Sequence, residues 1–136
     1  MARSAQVLPL IRTLLQYTGR VRRELVIELV GILFEVTPVK TGHARSNWIP
    51  RLGHPFRGVA GSRERVDYGP QERGLREIQD EPLTSKRVAN LGNNVKYLPR
   101  LNTGWSAQAP AAFIQGAIAQ AKVNVRIRIG RLKRAA

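Results

Sequence analysis

The sequence predicts an α+β protein: a long N-terminal helix and a C-terminal helix packed on a small mixed or antiparallel β-sheet, with a long loop or extended hairpin between. Three observations predict it. Apolar residues recur at i, i+3 and i+4 through the first quarter of the chain, fall into short runs bounded by Gly and Pro in the middle, and return to helical spacing after Pro110. At 136 residues and 15.2 kDa, residues 1–136 form one domain by expectation. Such a chain buries roughly two-thirds of its unfolded surface, enough for a core without staples. With 43% hydrophobic but only 6% aromatic residues, that core is built mainly from Val, Ile, Leu and Ala.

The first helix is expected over about residues 5–36, because Leu10, Ile11, Leu14, Leu15, Val21, Leu25, Leu29, Leu33 and Val36 share one face. Ser4 is a candidate cap and Pro9 lies near the first turns, where proline is least harmful. Val26, Ile27, Val30, Ile32 and Phe34 widen the stripe nearly all round, so the second half is expected to be covered on two sides, by the sheet and by a neighbouring subunit. Gly19 and Gly31 each cost about 1 kcal/mol relative to Ala in a helix, so a bend or a close packing contact is expected at each. Thr37-Pro38 stops the helix and Thr41-Gly42 supplies a turn.

Residues 43–52 read as a strand, with Trp48 in the core and Pro50 confining the strand to an edge or bulge. Residues 53–85 lose periodicity and read as a long loop or extended hairpin, with 59–60 and 66–68 as strand pieces. Glu72, Glu77, Asp80 and Glu81 form there the one acidic cluster of the chain. Residues 86–95 suggest another strand or short hairpin, with Gly92-Asn93-Asn94 as its turn or bulge. Pro110 opens a helix over 110–121 with Phe113, Ile114, Ala117, Ile118 and Ala121 on one stripe. Over 123–129, Val123, Val125, Ile127 and Ile129 alternate with Asn124, Arg126 and Arg128, which predicts an arginine-faced strand; Arg131, Lys133 and Arg134 complete a basic strand and tail over 123–136.

Charge limits the function. The chain carries 23 Lys and Arg against 9 Asp and Glu, a net +14. Residues 86–136 hold ten basic groups and no acid. A stretch that cannot neutralise itself points to an acidic partner, either DNA or an acidic face of another subunit, against the plainer reading of a solubilising surface. Cysteine is absent, which removes disulfides and thiolate chemistry. The apolar block Leu25 to Val36 contains Glu28 and Glu35 and is far shorter than the roughly 20 residues of a membrane span. No N-terminal targeting signal is expected either, and the chain is expected to be soluble.

The residue types for catalysis are nearly missing. His43 and His54 have no carboxylate at triad or ligand spacing and are expected to be inert surface residues. No phosphate loop or dinucleotide fingerprint occurs, so neither an enzyme nor a cofactor or metal site is expected. A helix over 111–121 lacks base-reading side chains at its start, so any contact with double-stranded DNA is expected to be non-specific.

Three blocks carry a resemblance: Thr-Pro-Val-Lys-Thr-Gly-His-Ala-Arg-Ser-Asn-Trp over 37–48, Gly-Asn-Asn-Val-Lys-Tyr-Leu-Pro-Arg-Leu-Asn-Thr-Gly over 92–104, and Gln-Ala-Pro-Ala-Ala-Phe-Ile over 108–114. In this order they resemble the minor tail-component family of tailed bacteriophages, which includes tail-completion and neck proteins of head–tail joining. The chain departs from that pattern at Lys40 and Asn102, where acids are common, and at Ala112, where glycine is common. The resemblance implies a structural virion protein forming a homo-oligomeric ring, six- or twelve-fold, at the head–tail junction, beside connector and tail proteins, with the genome passing through. It implies that the turn over 97–108 leads the sheet into the last helix, with Trp105 either a core plug or an aromatic anchor for the next subunit.

On this reading Glu72, Glu77, Asp80, Glu81 and Trp105 are candidate subunit contacts, and Arg126, Arg128, Arg131, Lys133 and Arg134 face DNA or an acidic partner. A tail terminator capping the tail tube is the alternative within the virion. A non-specific nucleic-acid-binding domain of ribosomal-protein type is the alternative of another class.

Overall fold

The computed structural model describes residues 19–38, 42–104 and 112–135, the last four as backbone only. Its elements in order are α1 (Gly19–Val36), α2 (His43–Ser46), β1 (Ile49–Leu52), α3 (Gly69–Asp80), β2 (Ala89–Gly92), α4 (Leu98–Asn102) and α5 (Phe113–Ala135). The fold is α+β, with β1 and β2 paired antiparallel in a two-stranded sheet whose register sets Ile49 opposite Gly92 and Leu52 opposite Ala89. Pro50 tolerates this position because the ribbon has two strands among the described residues, so each strand has an edge where a missing N–H breaks no ladder.

The α1 stripe forms as its spacing predicts: Leu25, Val26, Leu29, Val30 and Leu33 are buried, together with Trp48, Leu52, Ile78, Leu91, Phe113, Ala117, Ala121 and Val125. Helix α5 runs antiparallel along α1, since Asn124 meets Glu28 while Arg128 meets both Glu28 and Glu24. Helix α3 lies on β1 so closely that a Cβ on Gly74 would sit 2.0 Å from the Pro50 carbonyl oxygen. A side chain there would hold the layers apart, which is why glycine occupies the contact.

Five expectations are corrected. Residues 53–85 are not all loop, because 69–80 form α3, with Pro70 in its first turn. Residues 59–60 and 66–68 belong to no strand, and 43–46 form a short helix ahead of β1. Residues 123–135 are not a strand and tail but continue α5 without interruption. A lone strand needs a neighbour for its N–H groups, whereas a helix satisfies them internally. In the helix Val125 extends the Phe113, Ala117, Ala121 row into the core, while Val123 and Ile127 are left 48% exposed. His43 is not on the surface: it is buried, its ring 6.5 Å from that of Tyr97.

The glycines of α1 divide. A Cβ on Gly19 would meet the Leu83 carbonyl oxygen at 2.0 Å, whereas nothing lies within 4 Å of one on Gly31. The expected close contact is present at Gly19 and absent at Gly31. The segments before Gly19, around Lys40 and over 105–111, with Trp105, lie outside the described residues.

Candidate assembly surfaces

The 53–68 loop is held by side-chain amides rather than by a core of its own. Buried Asn47 accepts the Ala60 N–H through Oδ1 at 2.7 Å and donates through Nδ2 to the Ala60 and His43 carbonyls at 3.0 and 2.8 Å. Asn94 Nδ2 donates to the carbonyls of Phe56 (3.1 Å) and Gly58 (3.0 Å), and Asn90 Nδ2 to that of Gly53 (3.1 Å). Asn93 ties the second block to the first by donating to the Ala44 carbonyl at 2.8 Å. At the tip, Gly61 has a φ of 64°, and a Cβ there would come within 2.3 Å of the Arg65 carbonyl. The tip closes with Ser62 N–H donating to that carbonyl at 2.9 Å. The loop thus presents Arg57, Arg63 and Arg65 to solvent, with the Arg63 guanidinium 5.1 Å over the Tyr97 ring.

The third block is joined to the second through Asn102. Its Oδ1 accepts the Ile114 N–H at 3.0 Å, its Nδ2 donates to Gln115 Oε1 at 3.0 Å, and its carbonyl accepts the Ala112 N–H at 2.6 Å. The first turn of α5 has free N–H donors, and an amide twelve residues upstream supplies acceptors for it. Ala112 itself sits at φ 60°, the left-handed region that glycine adopts without cost.

The acidic cluster does not act as one patch. Glu72 and Asp80 are exposed on α3, but Arg73 and Arg76 are exposed on the same helix. Glu77 turns inward, accepting the Leu52 N–H through Oε1 at 2.7 Å, with its Oε2 3.6 Å from Arg51 Nε. Glu81 is buried and ion-paired to buried Arg22, which also donates to the Ser85 carbonyl at 3.1 Å, while the Arg23 guanidinium bonds the Glu81 carbonyl. Of the four, Glu72 and Asp80 are positioned to meet another molecule.

The C-terminal arginines divide in the same way. Arg128 bonds Glu24 at 2.5 Å and Glu28 at 2.7 Å, and Asn124 donates to Glu28 at 2.8 Å. The Asn124 bond, and then that of Arg128, hold the Glu28 carboxyl below the usual 4.5; Glu28, then Glu24, raise Arg128 in return. Arg126 and Arg131 are exposed and make no ion pair among the described residues. The side chains of Lys133 and Arg134 lie outside those described.

Among the described residues no group of three or more His, Asp or Glu is placed to hold a metal ion. A shallow cleft of about 160 Å³ between Arg51, Pro70, Arg73, Gly74 and Glu77 is smaller than the roughly 300 Å³ at which small-molecule sites begin. Sequence reasoning missed the asparagine clamps, because an amide bonding a backbone twelve to forty-nine residues away leaves no periodic trace. It missed α3 as well, although Pro70 followed by Leu75 and Ile78 carried a weak signal. No family model matches the chain, and neither does any curated protein or solved structure.

Proposed function

We propose that the chain is a structural protein of a tailed-bacteriophage virion, assembling as a six- or twelve-fold ring at the head–tail junction, in the neck or at tail completion, with connector and tail proteins as its neighbours. One observation carries this reading. The three blocks that resemble the minor tail-component family, far apart in sequence, are bonded to one another: Asn93 to Ala44, and Asn102 to the first turn of α5. Their polar side chains hold backbone in place, the task of a scaffold residue, and Ala112 stands in a left-handed position where the family pattern has glycine. The framework presents exposed Arg57, Arg63 and Arg65 on the loop, and Arg126 and Arg131 on α5. These suit contact with the passing genome or with an acidic neighbour, and exposed Glu72 and Asp80 suit a head-to-tail contact between subunits.

Light scattering at low and moderate salt, with electron microscopy of the same samples, tests the proposal. Closed rings that form without DNA and are lost in Glu72→Lys/Asp80→Lys, with the monomer still folded, are the expected result. A strict monomer at all salts that binds random duplex DNA with a steep salt slope would overturn it.

A further inference from the structure

The face of α5 turned away from α1 is an apolar strip without a covering element among the described residues. At 100° per residue, Gly116, Ala119, Val123 and Ile127 fall within an arc of about 80°, roughly opposite the row of Phe113, Ala117, Ala121 and Val125 that enters the core. Val123 and Ile127 are each 48% exposed, two of the four exposed large hydrophobics among the described residues, and they stand one turn apart. Lys122 and Arg126, both exposed, border the strip on the Ala119 side, and no acid lies anywhere on α5. The strip narrows at Gly116 and Ala119, where another backbone can come close, and widens at Val123 and Ile127.

Each candidate occupant makes a demand that the strip meets or fails. Phosphates cannot cover apolar side chains, so nucleic acid does not fit it. A lipid surface needs a broad apolar face with bulky side chains, and this one has two. A second copy fits poorly. Among the described residues Val59 and Leu83, the other exposed large hydrophobics, are isolated on loops, and the outer face of α3 offers Glu72, Arg73, Arg76, Gln79 and Asp80 with no apolar residue. Pairing α5 with its own copy would bring Lys122 and Arg126 toward their equivalents. Four residues over three turns also fall well short of the roughly 800 Å² per partner of a stable globular dimer. One helix lying along the strip covers that length, and an acidic edge on it would meet Lys122 and Arg126.

We infer that the outer face of α5 docks an amphipathic helix of a different protein, apolar on one side and acidic along its edge. The inference goes beyond the ring reading and holds for the folded chain in any assembly state.

Fluorescence anisotropy with a labelled synthetic helical peptide of roughly 18 residues, leucines on one face and glutamates on both edges, tests it. Two controls have the same composition scrambled, or lysine in place of glutamate. Saturable binding of the acidic peptide is expected, at least about tenfold tighter than either control. Val123→Ser/Ile127→Ser should weaken it about tenfold or more while leaving the circular dichroism and melting unchanged, and Lys122→Gln/Arg126→Gln should weaken it and flatten its salt dependence. Equal binding of ordered and scrambled peptide, or indifference to the Val123/Ile127 change, would overturn the inference. So would binding to vesicles of anionic and zwitterionic phospholipid, or concentration-dependent self-association, if either were abolished by that same change.

Discussion

Trp48 Nε1 donates a hydrogen bond to Thr37 Oγ1 at 2.8 Å, and the same hydroxyl donates to the Leu33 carbonyl at 2.5 Å. Trp48 and Thr37 are both completely buried, so one hydroxyl at the end of α1 satisfies the indole and adds a second bond to a helix carbonyl that also accepts the Thr37 N–H at 3.0 Å. Thr37→Val keeps the shape and removes both bonds, leaving a buried N–H without an acceptor. A loss of about 1–3 kcal/mol is expected, read as a lower urea midpoint at unchanged slope, while Thr37→Ser retains most of the stability.

Asn47 binds the loop at Ala60 with both ends of its amide. Asn47→Ala is expected to cost about 2–4 kcal/mol, because the Ala60 N–H and C=O lose their partners inside the protein. The effect should be felt first in the loop. Trypsin should cut after Arg57, Arg63 and Arg65 faster in the variant under native conditions, and the Ala60 amide should exchange faster than those of α1.

How far the fold is legible in the sequence depends on how local its causes are. The α1 stripe, the stop at Thr37-Pro38, the strand residues around Ile49 and Leu91 and the burial of Trp48 follow from periodicity and breakers. Helix α3 escapes such a reading because its buried face is Pro70, Gln71, Gly74 and Ile78, only partly apolar; its seat is fixed by the close approach of Gly74 to Pro50. The end of α5 misleads because alternating Val, Arg and Ile fit a strand as well as a helix. What decides it is long-range: Val125 joins the buried row, and Arg128 reaches Glu24 and Glu28 about a hundred residues upstream. The inward turn of Glu77 and Glu81 is illegible for the same reason: Arg22 lies 59 residues from Glu81 in the chain.

Two exchanges of Ala and Gly should each stabilise the protein, in opposite chemical directions. Gly31 lies inside α1, exposed, with nothing within 4 Å of a Cβ placed on it, so Gly31→Ala should add about 1 kcal/mol from helix propensity alone. Ala112 sits at φ 60°, so Ala112→Gly should add about 1 kcal/mol by relieving the left-handed conformation. Thermal melts of the two single variants and the double test this, and the gains should add because the sites share no partner. Gly74→Ala is the contrasting case: the Cβ meets the Pro50 oxygen at 2.0 Å, and a loss of about 3 kcal/mol is expected as α3 is forced off β1.

The link between α1 and α5 should be visible as an acid sensitivity. Glu28 bonds Asn124 and Arg128, which lower its pKa in the folded protein below the 4.5 it takes when free. A carboxyl that is the stronger acid in the folded state favours folding when ionised in both states, so this contribution is complete above pH 4.5. As pH falls below 4.5, the unfolded chain takes up the proton first, and the advantage shrinks until Glu28 is protonated in the folded state as well. Arg128 is 45% exposed, and solvent screening keeps the gain below about 1 kcal/mol. Glu28→Gln should therefore flatten the fall of stability with acid over that range while leaving an amide able to bond Asn124. Urea unfolding at a series of pH values measures the slope. A wild-type slope equal to that of the variant would show that the α1–α5 contact rests on its apolar row alone.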